Sequence, residues 1–97
     1  MANIPYNSVL QWNCRGFFHK RFQLKHLISV TQPFVICLQE TLNLSPNDLN
    51  TLNDIFKDFV IYFKHRIRPG VARPRGGVAI LVHKSVPHCL LDIRSNL

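Results

Sequence analysis

The sequence predicts an α/β domain in which a mixed sheet is flanked by helices. Three observations lead to this prediction. Segments with strand-like and helix-like patterns alternate along the chain. The run Phe34–Leu38 is apolar throughout and rich in β-branched residues, as is typical of a central strand covered on both faces. The stretch Ser45–Asp48 combines a capping Ser, a Pro and an acidic residue at the spacing of a helix start.

Local patterns predict the elements of the first half of the chain. Apolar and polar residues alternate loosely over Ser8–Cys14, which predicts a first strand. Apolar residues at helical spacing predict an amphipathic helix from His19 to Gln32, ended by Pro33. The apolar run that follows Pro33 is then the second strand.

The second half continues in the same way. A second helix is expected from Ser45 to about Phe56. Three more strands are expected at Phe59–Phe63, Val78–His83 and Cys89–Ile93. No repeat and no second domain are visible, so we expect one domain over residues 1–97, with room for a single core.

The charge balance favours a polyanionic partner. The chain has 12 Lys and Arg against 5 Asp and Glu, a formal net charge of +7. DNA is the expected partner, bound non-specifically through its backbone. Five cations lie in or beside the segment that joins the third and fourth strands: Lys64, Arg66, Arg68, Arg73 and Arg75. We predict that they contact phosphates, the alternative being a merely solvated loop.

Targeting and membrane segments are not apparent. The N-terminus lacks the pattern of a secretory signal, and the longest apolar runs are five residues, against the ~20 needed to cross a bilayer. An intracellular protein of the nucleus or cytoplasm is expected. No pattern indicates a membrane contact, a small-molecule cofactor or a particular oligomer.

Three cysteines, Cys14, Cys37 and Cys89, are odd in number and widely spaced. We expect them to be buried free thiols. Their spacing from histidines does not fit a zinc finger or ribbon.

Glu40 is the strongest candidate for chemistry. It is the only Glu of the chain and stands where an apolar strand passes into a loop. Ligands of open α/β sheets bind beyond the carboxyl ends of strands, and Mg²⁺ takes one or two carboxylates with waters and phosphate oxygens. Asn13 holds the comparable position after the first strand and could support a ligand or bind a phosphate. The alternative is that both residues simply mark strand ends.

Three blocks carry a resemblance to a known family: Val9–Gly16 (VLQWNCRG), Val35–Thr41 (VICLQET) and Arg75–Val82 (RGGVAILV). In this order they resemble the endonuclease/exonuclease/phosphatase family. More narrowly, they look like the apurinic-type endonuclease domain at the start of non-LTR retrotransposon polyproteins of the jockey kind. The resemblance implies the N-terminal part of a four-layer α/β sandwich.

The resemblance also implies roles for single residues. Asn13 matches the family's active-site Asn, and Glu40 matches the Glu that holds Mg²⁺ or Mn²⁺. Gly76 and Gly77 match a structural strand start. The family's later Gly-Asp-Phe-Asn and Ser-Asp-His motifs do not occur in this sequence. We therefore expect weak metal binding or none in this chain, and no cleavage by the chain alone.

The complete enzyme of this kind would nick target DNA and leave a 3′ hydroxyl that primes the element's RNA-directed DNA polymerase. The alternative from another class is a small basic nucleic-acid-binding module without catalysis. A third possibility is another branch of the same family, acting on lipid or inositol phosphates or on poly(A).

Overall fold

The computed structural model describes residues 8–64 and 76–89. These residues form six elements: β1 (Ser8–Asn13), α1 (Arg21–Thr31), β2 (Pro33–Gln39), α2 (Pro46–Ile55), β3 (Phe59–Lys64) and β4 (Val78–His83). The predicted α/β order is confirmed for these six. The loop cations Arg66, Arg68, Arg73 and Arg75 lie outside the described residues, as does nearly all of the strand expected at Cys89–Ile93.

The sheet is mixed, as the sequence predicts. Its strand order is β1-β2-β4-β3. The pair β1–β2 is parallel, and β4 runs antiparallel to both of its neighbours. It follows that β1, β2 and β3 point the same way and that their carboxyl ends lie at one edge of the sheet.

The two helices differ in how they begin. Ser45 and Asp48 form the predicted capping box at the start of α2: the Asp48 N–H donates to Ser45 Oγ at 3.0 Å, and the Ser45 N–H donates to Asp48 Oδ2 at 3.1 Å. In contrast, α1 has no side-chain cap. It begins later than predicted because the residues before it form a turn, in which the Lys20 N–H donates to the carbonyls of Gly16 and Phe17.

One apolar core lies between the helices and the sheet. Leu24 of α1 and Leu52 of α2 are both fully buried. They belong to the same cluster as the inward side chains of β2 and β4, namely Ile36, Leu38, Ala79 and Leu81. Both helices therefore cover the same face of the sheet.

The other face of the sheet corrects one prediction. The strand β2 was expected to be covered on both faces, but only its residues Ile36 and Leu38 point into the core, while Val35 and Cys37 are half-buried. Their neighbour Ile80 is 43% exposed. The prediction fails because both helices lie on one side. On the other side no helix or strand of the described residues packs, although Val82, which pairs with Val35, is buried there at 8% exposure.

The cysteines also depart from the prediction. All three are free thiols, but Cys14 is buried, Cys37 is half-buried and Cys89 is exposed. Cys89 is exposed because it follows the end of β4 in a stretch without regular structure. Burial raises the pKa of the Cys14 thiol above its usual value, since the low-polarity surroundings disfavour a thiolate.

No helix in residues 8–64 and 76–89 is long and apolar enough to cross a bilayer.

Candidate active site

The candidate residues Asn13 and Glu40 come together at the carboxyl edge of the sheet. Asn13 is the last residue of β1 and pairs with Gln39, the last residue of β2, which Glu40 follows directly. The pairing continues across the sheet through Val78 to Lys64. Lys64 therefore lies at the same edge, three strands from Asn13, or about 14 Å at roughly 4.8 Å per strand.

The loops after β1 and β2 extend the parallel ladder beyond the strands. The Cys14 N–H donates to the Gln39 carbonyl at 3.0 Å, and the Gly16 N–H donates to the Glu40 carbonyl at 2.8 Å. Lys20 Nζ donates to the Cys14 carbonyl at 3.1 Å and so closes the first loop. Backbone hydrogen bonds therefore fix the positions of Asn13 and Glu40 and leave their side chains available.

The carboxylate of Glu40 has one charged neighbour in the described part of the chain. Arg15 Nε lies 3.8 Å from Glu40 Oε2, and the two side chains are 83% and 47% exposed. An ion pair this exposed contributes little free energy, because water screens both charges and two long side chains must be ordered. Glu40 can therefore exchange Arg15 for a metal cation at little cost.

The loop that carries Glu40 rests on the glycines before β4. The Thr41 N–H donates to the Gly77 carbonyl at 3.3 Å, and the Leu42 N–H donates to the Gly76 carbonyl at 2.9 Å. Thr41 is fully buried, and a Cβ at Gly77 would lie 2.6 Å from Thr41 Oγ1. Gly77 therefore permits a close approach between the start of β4 and the loop that carries Glu40, which a side chain would block.

Backbone strain concentrates in these same loops. A positive φ occurs at Arg15, Glu40 and Leu42, with values of 50°, 53° and 61°. Residues other than glycine rarely adopt this region, and such residues cluster at functional sites. The sequence signalled the turns through its glycines, but it gave no signal of the strain at Glu40 or of the contact with Arg15.

The donor set fits a magnesium-type cation with an incomplete protein shell. Within residues 8–64 and 76–89, no three His, Cys, Asp or Glu side chains lie close enough together to hold a metal ion. Glu40 supplies one half-exposed carboxylate, and the exposed Asn13 ends the neighbouring strand. Mg²⁺ and Mn²⁺ accept such hard oxygen ligands and commonly complete their shell with waters and phosphate oxygens.

Comparison with known proteins identifies the family. The sequence profile of the Endonuclease/Exonuclease/phosphatase family matches residues 10–97, so the chain belongs to this family. No protein of curated function is similar enough in sequence to count as a match.

Two solved structures resemble the fold. An AP endonuclease from Archaeoglobus fulgidus superposes with a TM-score of 0.53 at 17% identity, over 76% of this chain and 26% of the endonuclease. TDP2 from C. elegans has a TM-score of 0.48 and 23% identity, over 78% of this chain and 22% of TDP2. Identities this low indicate a similar fold and nothing more. Of the two structures, only the AP endonuclease superposes closely enough to support that similarity. The chain spans about a quarter of either protein's length.

Proposed function

We propose that this chain supplies the N-terminal part of the active site of a Mg²⁺- or Mn²⁺-dependent endonuclease. Glu40 is the metal ligand, and Asn13 supports that ligand or binds the phosphate. The observation that supports the proposal is the pairing of Asn13 with Gln39, because it means that Asn13 and Glu40 belong to neighbouring strand ends at one edge of the sheet. Membership of the family makes phosphoester hydrolysis the reaction class.

Each residue at this edge has a chemical task in the proposal. A cation held by Glu40 would neutralise charge on the scissile phosphate and its leaving oxygen. The Asn13 amide donates a hydrogen bond to a phosphate oxygen. Arg15 offers its guanidinium to the phosphate once the cation has taken its place beside Glu40. Lys64, at the far end of the same edge, contacts the nucleic-acid backbone.

The same proposal holds that the chain does not cut DNA alone. Hydrolysis also needs a group that orients and deprotonates water, and the Gly-Asp-Phe-Asn and Ser-Asp-His motifs that supply such groups in the family do not occur in this sequence. A retrotransposon endonuclease that nicks target DNA for reverse transcription remains the parent enzyme that we propose. This proposal is supported by the amino-acid sequences of the three blocks around Asn13, Glu40 and Gly77.

Manganese binding tests the proposed ligand without requiring activity. Paramagnetic Mn²⁺ added to isotope-labelled chain should broaden the amide signals around Glu40 and Asn13, with a dissociation constant on the order of 1 mM for a site with one carboxylate. Glu40→Gln keeps the shape of the side chain but removes its charge. At the same concentration of Mn²⁺, the broadening of the amide signals around residue 40 should therefore fall at least about tenfold. Mg²⁺ in excess should reverse the broadening in the unmodified chain.

Asp54→Asn is the matched control, since Asp54 is an exposed carboxylate on α2. This variant should retain the broadening at Glu40. Equal broadening in Glu40→Gln and in the unmodified chain would show that Glu40 is not the ligand. The chain would then be better described as a small basic nucleic-acid-binding module without catalysis.

A further inference from the structure

The helix that follows the candidate site carries a second, unassigned feature. A groove of about 570 Å³ lies between α1 and the end of β1, and its lining is mostly apolar: Trp12, Phe22, Gln23, His26 and Leu27. Trp12 directly precedes Asn13 in β1, but successive side chains of a strand point to opposite faces, so the groove lies on the helix side of the sheet and Asn13 faces the other side. Phe22 is 64% exposed, which is unusual for a phenylalanine on a packed helix.

The cations around this groove are held in place. The Arg21 guanidinium lies 4.1 Å from the ring centre of Phe18 and 4.6 Å from that of Phe22, and Arg21 Nη1 donates to the Phe18 carbonyl at 2.7 Å. Lys20 Nζ lies 5.9 Å from the ring centre of Trp12. Because two rings and a carbonyl hold Arg21, little side-chain entropy is lost when it binds an anion.

The charge around the groove is of one sign. Residues 14–32 contain four Lys and Arg and no Asp or Glu. Two of these cations, Lys20 and Arg21, contact the rings of Trp12 and Phe22, whereas Lys25 lines a separate pocket with Asp58. An apolar protein surface would gain nothing from cations held against the aromatic rings of the groove. The combination of open aromatic faces with fixed cations suits a ligand that is both planar and anionic.

We propose that this groove, lined by Trp12, Phe22 and His26, binds an unpaired stretch of nucleic acid. A base stacks on the ring of Phe22 over the groove, and the phosphates on either side contact Lys20 and Arg21. Duplex DNA fits less well, because its bases are already stacked and their faces are hidden. The inference rests on the proposed function in that it names unpaired nucleic acid as a form of the substrate that this chain contacts.

Trp12 gives a direct readout, because it is the only tryptophan of the chain. Titration of the full chain with oligodeoxythymidylate of about 12 nucleotides should quench its emission in a saturable way. With two phosphate contacts, the logarithm of the binding constant should fall with the logarithm of the salt concentration at a slope of about −1.4. The titration is done in EDTA, so failure here leaves the proposed metal site untouched, and failure of the metal site leaves this result intact.

Phe22→Ala should weaken binding of the oligonucleotide at least about fivefold, as expected when one stacking platform is lost. Val30→Ala is the matched control: Val30 is 67% exposed on the same helix but does not line the groove. It should change the affinity by less than about twofold. Circular dichroism of both variants checks that the fold is kept, which the exposure of both side chains favours.

Three results would overturn the proposal. The first is the absence of quenching by the oligonucleotide. The second is equal affinity of Phe22→Ala and the unmodified chain. The third is equal binding of a duplex of the same length, which would indicate backbone contacts without stacking. If the oligonucleotide does not quench and the chain instead forms a dimer that depends on Phe22, the proposal is also overturned. The groove would then be occupied by a second copy of the chain.

Discussion

Gly77→Ala should lower the free energy of unfolding by roughly 2–4 kcal/mol, although it adds one methyl group. Two causes add together. Gly77 has a φ of 84°, which costs an L-residue about 1–2 kcal/mol. The new Cβ would also lie 2.6 Å from Thr41 Oγ1, so that Thr41 and the loop of Glu40 would have to move. Denaturation in urea, followed through Trp12 emission, measures the change.

The clash can be separated from the backbone cost. In a Thr41→Ala background the oxygen that meets the new Cβ is gone, so Gly77→Ala should cost only about 1–2 kcal/mol. The difference between the two backgrounds is the part due to the contact. If Gly77→Ala costs the same with Thr41 and with Ala at this position, the glycine is needed for its φ alone. The close approach would then not position Glu40.

Phe17→Ala should be the most destabilising single truncation near the site, at about 3–5 kcal/mol. Phe17 is 1% exposed, and its ring centre lies 5.9 Å from that of Phe56, at the end of α2. Its N–H donates to the Thr41 carbonyl at 3.1 Å. Truncation leaves a cavity where the core meets the loops of the site. For a 97-residue chain, whose total stability is about 5–15 kcal/mol, the loss approaches unfolding.

Phe22→Ala serves as the control for Phe17→Ala. Both changes remove the same side chain from nearby positions, but Phe22 is 64% exposed, so its loss should cost less than about 0.5 kcal/mol. Phe17→Leu should recover more than half of the stability lost in Phe17→Ala, because it refills most of the cavity. A loss below about 1 kcal/mol for Phe17→Ala would mean that Phe17 does not join the core to the site.

Features that depend on a few neighbouring residues could be predicted from the sequence. The capping box of Ser45 and Asp48 gives the start of α2, because both partners lie within one helical turn. The apolar run of β2 identifies an inner strand of the sheet, which it is, although the run also led to the wrong expectation that both of its faces are covered. Features that depend on distant contacts could not be predicted. Which face of β2 is covered depends on where both helices pack, and the exposure of Cys89 depends on where β4 ends.

The candidate site, too, could be predicted only in part. Asn13 and Glu40 could be proposed from the rule that the carboxyl ends of parallel strands share an edge, and the structure does place them together there. The backbone hydrogen bonds that fix the positions of these two residues could not be predicted. The hydrogen bonds of Gly16 with Glu40 and of Thr41 with Gly77 join segments that are far apart in the sequence. The positive φ of Glu40 follows from that arrangement and not from the preference of glutamate.

We propose that this chain holds a metal-binding carboxylate without the group that activates water. Incubation of the purified chain with supercoiled plasmid and Mg²⁺ or Mn²⁺ tests this proposal. The plasmid should stay supercoiled at any concentration of metal that saturates the site. Metal-dependent conversion to the nicked form, abolished in Glu40→Gln, would contradict it, because Asn13 and Glu40 would then belong to a site that is catalytically complete.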